Sequence, residues 1–231
     1  MVNSVSNWLT IKPPTSVTPS GWRNSLPTPV PSISGKAPSN AARVAASQSK
    51  ASVTVIDTLT LSSGTGWQVE AAARAVKAGW DKEQILKMLK QIQAATSTYF
   101  TLPDLKYLIA GGSISHLKGL LASLLGIKPI IEVNKADGKY YDIGKKRSFL
   151  KAVQEIPALI LKKYPAGTRL RAQVVHASNP EGGEMLRSAV NAVFHCEWLP
   201  DCQIGPALGA HTGRGLVGLM HAPLAEYPQL P

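Results

Sequence analysis

The order His195-Cys196-Glu197, then Pro200-Asp201-Cys202, superficially matches a zinc deaminase, in which a P-C-x-x-C pair completes the metal site. Only one cysteine follows here, and it comes too soon. In an extended segment Cys196 and Cys202 stand ~20 Å apart at ~3.3 Å per residue, beyond disulfide or shared-metal reach. The spacing predicts no metal and two buried, structural cysteines. The five histidines (His116, His176, His195, His211, His221) show no metal-ligand spacing either.

Two serines and one histidine have more suggestive settings. Ser62 and Ser63 open the run Ser62-Ser63-Gly64-Thr65-Gly66 after an apolar strand, a place where a nucleophilic serine can sit. The segment lacks G-x-S-x-G and offers no local base, so a serine hydrolase or transferase is the minor reading. Gly64-Thr65-Gly66 lacks the third glycine of a dinucleotide fingerprint, and no G-x-x-x-x-G-K-[ST] occurs. His211 lies among glycines at 205, 209, 213 and 215, which let backbone approach a ligand while the imidazole donates to an anion. The local pattern alone reads as a glycine-rich turn with a buried histidine.

The elements that must position these residues follow from hydrophobic patterning. Residues 53–57 form a β-branched run suited to a buried strand; residues 62–66 are a turn, and residues 67–78 a helix stopped by Gly79. Asp81 caps the next helix with Gln84 as its capping-box partner. Strand, turn and helix make half of a parallel α/β unit. A second segment begins near Tyr99, with an apolar helix at 115–125, a strand at 128–133 and a longer helix at 147–163. A strand at 170–176 follows, then a helix opened by Asn179-Pro180-Glu181, and a final strand and glycine-rich turn within 197–218.

Composition narrows the class. The 231 residues are 44% hydrophobic and 17% charged, and no apolar stretch reaches the ~20 residues of a membrane span. The net charge of +11 would favour nucleic acid if it were clustered. Lys12, Arg23, Lys36, Arg43 and Lys50 instead stand apart, and no acid precedes Asp57, so the charge reads as a solvated surface. Seven prolines and ten serines fall in the first 50 residues. Residues 1–31 are therefore expected to be a poorly ordered Pro/Ser-rich segment, neither a secretory signal nor a good transit helix.

Several stretches together resemble the DegV family of bacterial fatty-acid-binding proteins. They are Asp104-Leu-Lys-Tyr-Leu-Ile-Ala-Gly111-Gly112-Ser-Ile-Ser115, Leu120-Leu-Ala-Ser-Leu-Leu-Gly-Ile-Lys-Pro-Ile130 and Ile204-Gly-Pro-Ala-Leu-Gly-Ala-His211-Thr212-Gly213. Val53–Asp57 and Leu61–Gly66 look like the family's middle strand and turn. The resemblance implies a two-domain α/β fold: a partial parallel α/β N-terminal domain over residues 32–96 and an α/β C-terminal domain over residues 97–231. It also implies a cytoplasmic, non-catalytic protein without cofactor or metal, whose ligand is one long-chain fatty acid held between the domains. The carboxylate would be presented to a separate ATP-binding kinase subunit for acyl-phosphate formation.

Site residues carry over motif by motif. His211 and Thr212 match the family's Gly-Ala-His-Thr-Gly. Thr15 matches its Thr-Ser-Gln-Pro-Ser motif with one residue inserted, and Ser39 its Leu-Ser-Gly-Thr motif with about two lost. These four are the expected carboxylate ligands. Leu120, Leu121, Leu124, Leu125, Ile127 and Ile130 are expected to wall the acyl chain, a role compatible with ordinary core. Ser113 stands where a basic residue often follows the glycine pair. About fourteen residues precede the threonine motif, where the family has a strand bearing Asp-Ser and further elements. The N-terminal domain is therefore expected to be incomplete, and the alternative reading is a truncated member that keeps the C-terminal fold but has lost lipid binding.

Overall fold

The computed structural model describes residues 9–12, 43–44, 46–48, 53–110 and 126–231. In chain order the elements are β1 (Leu9–Lys12), β2 (Thr54–Asp57), α1 (Ser63–Lys77), α2 (Lys82–Ala95), β3 (Ser97–Thr101), α3 (Lys106–Ala110), β4 (Lys128–Val133) and β5 (Tyr140–Lys146). Then come α4 (Phe149–Leu161), β6 (Arg169–His176), α5 (Pro180–Asn191), β7 (His195–Trp198), β8 (Cys202–Gln203), α6 (Pro206–Thr212) and β9 (Val217–Pro223). β1 and β2 pair in parallel as a two-stranded sheet, so four residues inside the segment expected to lack order form a strand. The remaining strands make one seven-stranded mixed sheet in the order β5-β4-β3-β9-β6-β7, with β8 also on β6. β7 and β8 run parallel to β6, and the other pairs are antiparallel.

Side-chain alternation along these strands splits the core in two. Tyr99, Ile130, Val174 and Leu219 face α4 and α5 and pack with Ile156, Ile160, Leu186 and Val190. Phe100, Ile131, Val175 and Met220 face the other way and pack with Trp67, Ala71 and Ala75 of α1 and Ile85, Leu89 and Ile92 of α2. The helices before Thr96 thus share a core with the sheet after it. No helix among the described residues is long and apolar enough to cross a membrane.

Local signals explain several boundaries. Asp81 accepts from the Gln84 N–H at 2.8 Å while the Gln84 side chain accepts from the Asp81 N–H at 2.9 Å, closing the expected capping box. Asn179 accepts from the Gly182 N–H, with Pro180 in the first turn of α5. Three expectations need correction. Ser63-Gly64-Thr65-Gly66 is the first turn of α1 rather than a turn before it. The 197–218 region holds the end of β7, then β8 and α6, and the start of the last strand, β9, which runs on to Pro223. Helix α4 is shorter than residues 147–163 because Ser148 caps it, accepting from Lys151 N–H.

Candidate functional site

A network of short polar side chains fixes the start of α1. Thr60 and Thr98 hydroxyls meet at 2.9 Å, Thr58 and Thr65 at 3.3 Å, and Gln68 Nε2 donates to the Thr58 carbonyl at 3.0 Å. Trp67 Nε1 donates to Gln173 Oε1 at 2.7 Å, while the Arg171 guanidinium lies 5.0 Å from both the Trp67 and Tyr227 rings. Gly64 has no room for a side chain, since a Cβ would come within 2.5 Å of Thr60 Oγ1. These contacts pin the helix to the sheet and hold Ser62 at φ 51°, ψ −132°. That conformation costs a non-glycine residue about 1–3 kcal/mol and persists only where its surroundings dictate it.

Beside Ser62 lies a small apolar cavity of about 10 Å³ between the start of α1, the sheet and α6. Its wall includes Leu61, Phe100, Val175, Leu208, Leu216 and Met220, with Thr98 and Thr212 among the few polar groups. That is room for about one water molecule and far less than a ligand-sized pocket, so a ligand must open it. A wider open groove, about 560 Å³, runs along the outside between α1 and the β7–β8 region, past Ser63, Gly66, Trp67, Gln173, Leu199 and Gln203. Ser62 borders both spaces.

Both expected residues lie on a helix: Thr212 lines the cavity, while His211, one residue before it, lines neither space. The expected glycine-rich turn is α6, in which Gly205 and Gly209 take no positive φ, and only Gly213 and Gly215 make the turn after it. Gly213 ends the helix at φ 74°, ψ 177°, its N–H donating to the Gly209 carbonyl at 2.8 Å. A Cβ there would fall 2.2 Å from the Tyr107 ring, so both conformation and space select glycine. His211 is half-buried and Thr212 is buried. The Thr212 hydroxyl donates back to the Leu208 carbonyl at 3.0 Å, so it must rotate before it can donate to a ligand.

Other expected residues are placed differently. Ile130 is buried against α4, where the alternation of β4 sends its side chain, and Ile131 takes the cavity side of the sheet. It therefore does not wall the cavity. Ile127 is half-buried and does not line it either. Thr15, Ser39, Leu120, Leu121, Leu124, Leu125 and Ser113 lie outside the described residues, as does the helix expected at 115–125. Among the described residues no three His, Cys, Asp or Glu side chains gather as a metal site, and no hydrogen bond joins Ser62 or Ser63 to a histidine. Both cysteines are free and only half-buried, not buried as expected; burial still pushes the Cys196 thiol up to about 11.

The family model described as "Uncharacterised protein, DegV family" matches residues 32–224. The chain belongs to the DegV family. A DegV domain-containing protein of Deinococcus radiodurans is 31% identical over 184 residues, 80% of this chain and 64% of the relative. The chain therefore spans a little under two thirds of that relative's length. A DegV family protein from Thermus thermophilus, solved in a study of its fatty acid binding, is 26% identical with a TM-score of 0.72, covering 80% of this chain and 66% of its own. A DegV lipid-binding protein from Thermotoga maritima shares the fold at 24% identity and a TM-score of 0.69, covering 80% and 64%. Sequence reasoning missed the cavity wall of this DegV chain. The signal was present in Ser97-Thr-Tyr-Phe-Thr101 and in residues 217–223, which read as strands once their β-branched and aromatic content is weighed.

Proposed function

We propose that this DegV protein binds a long-chain fatty acid, burying the acyl chain in the cavity under α6 with the carboxylate toward His211, and itself catalyses no reaction. The carrying observation is the juxtaposition of an apolar cavity with the Gly-Ala-His-Thr-Gly segment that borders it through Leu208 and Thr212. Each buried methylene contributes ~0.8 kcal/mol, so the chain supplies affinity, while the carboxylate needs donors because an unpaired buried charge is costly. In this reading the half-buried His211 imidazole, next in the chain to the lining Thr212, supplies that donor. Long acyl chains need more room than the narrow cavity offers, so flexible wall residues such as Met220 and Leu208 must give way on binding. We further propose that the carboxylate is presented to a separate ATP-binding subunit for conversion to an acyl phosphate, since no phosphate-cradling motif occurs in this chain.

Organic extraction of the purified protein followed by mass spectrometry tests the reading, together with titration of the delipidated protein with palmitate and oleate. A co-purified acyl chain, or uptake with a rise in melting temperature, is expected. Neither a bound chain nor uptake would overturn it.

A further inference from the structure

We infer that the outward face of α1 is a two-fold docking surface, on which a second copy of this chain seats its own α1 antiparallel to the first. α1 turns Trp67, Ala71, Ala72 and Ala75 inward, into the core it shares with the sheet and α2. A helix packed on one side ordinarily presents charged and polar side chains on the other. Here Val69, Ala73 and Val76 lie on the exposed side, Val69 46% and Val76 62% exposed. Their spacing of four and then three residues is that of a helix–helix seam. Valine is a poor helix former where nothing packs on it, so the row weakens α1 unless something covers it.

Charge and symmetry select a second copy and set its direction. A two-fold axis crossing α1 at Ala73 brings that small residue against its own copy, where helix axes approach to about 8 Å. Since a helix rises ~1.5 Å per residue, the reversed copy then sets Val69 beside the partner's Val76 and the half-buried Glu70 beside the partner's Lys77. Lys77 is exposed, and Glu70 holds Arg74 at 2.7 Å and Arg171 at 3.6 Å from its own chain. The axis repeats each apolar contact and each opposite-charge contact twice. In a parallel pair every residue would stand level with its own copy, Lys77 with the partner's Lys77 and Glu70 with the partner's Glu70. The face is narrow and the chain carries a net charge of +11, so the association should be weak, half-complete at roughly 0.1 mM protein in ~0.15 M salt.

Sedimentation equilibrium of the full chain, joined to cysteine cross-linking, tests the interface. The wild type is expected to dimerise reversibly, and Val76→Lys, an exposed change that folding tolerates, to weaken the dimer about tenfold or more. Lys77→Glu sets a like charge beside Glu70 and should weaken it about threefold, whereas Lys77→Arg should leave it unchanged. Under mild oxidation Ala73→Cys should link to its own copy. Val69→Cys should link to Val76→Cys when the two variants are mixed, and neither should link to itself. The wild type, with Cys196 and Cys202 free, supplies the background. A wild type that stays monomeric at about 1 mM would overturn the interface, as would a dimer that Val76→Lys leaves intact. Val69→Cys linking to its own copy would overturn the antiparallel pairing.

Discussion

Lowering the pH should cost this fold stability through one buried side chain, His221. The residue lies on β9 opposite Ser97 of β3 and Ala172 of β6, is 0% exposed and meets the Tyr99 ring edge-on at 5.1 Å. Neither ring nitrogen has a hydrogen-bond partner among the described residues. Burial, reinforced by the charges of Lys135 and Lys163, pushes its pKa down to about 3. The folded protein thus holds a neutral imidazole while the unfolded chain takes up a proton below ~6.5. A base whose folded pKa is depressed contributes stability that is fully present above ~6.5 and falls as the pH drops toward about 3. Each pH unit in that window is worth ~1.4 kcal/mol, so the loss at pH 5 is about 2 kcal/mol.

His221→Leu, of similar volume, removes the titration and the two unpartnered nitrogens, each of which costs about 1–3 kcal/mol when buried unsatisfied. The variant should be at least as stable as wild type at pH 7.5. Urea unfolding at pH 7.5 and pH 5.0 provides the measurement, with equal m-values as the check that both unfold alike. Carboxylates titrate in both proteins and cancel in the comparison. The wild type should lose about 2 kcal/mol more than the variant between the two pH values. Equal losses would refute the reasoning and mean that His221 is paired or hydrated in solution.

His211→Ala should leave folding nearly intact yet weaken fatty-acid binding by roughly ten- to a hundredfold, because a charge-assisted hydrogen bond is worth ~1.5–3 kcal/mol; titration with an acid and the matching alcohol reads it, and the alcohol should lose little. Gly213→Ala should cost about 3 kcal/mol or more in urea unfolding, combining the glycine-only backbone at φ 74° with the clash against Tyr107. In a Tyr107→Ala background the loss should shrink but persist, since only the clash is relieved.

What could be read in the sequence depended on whether a segment's signal was local. Asp81 and Gln84 announce their capping box because every partner lies within one helical turn, and Asn179-Pro180 announces α5 for the same reason. The strand at 128–133 was legible from its β-branched run. β3 and β9 were missed because all five residues of one and all seven of the other are buried, so neither shows the alternation that marks a half-exposed strand. α6 was missed because its glycines look like a turn; its register is set by tertiary contacts with α3. His211 and Thr212 were legible as a motif. Ser62 was considered for nucleophilic chemistry, and its placement at a cavity depends on strands that local reading did not find.

Those two strands also decide where the empty volume lies. Toward α4 and α5 they present Tyr99, Val217 and Leu219, which fill their side of the sheet with buried rings and branched chains. Toward α1 and α6 the same strands present Thr98 and Gly218 beside Phe100 and Met220, and of these Thr98, Phe100 and Met220 line the cavity. Gly218 itself is closely packed: a Cβ there would lie 3.0 Å from Phe100 Cβ and 3.1 Å from the Tyr99 carbonyl, so an alanine requires those neighbours to shift slightly. His221 thus lies on the face packed against α4 and α5, and the small cavity lies on the other. Substitutions at His221 and at His211 act on opposite faces with no shared partner, so their effects should add. A stability change confined to the first and an affinity change confined to the second would follow from that division of the core.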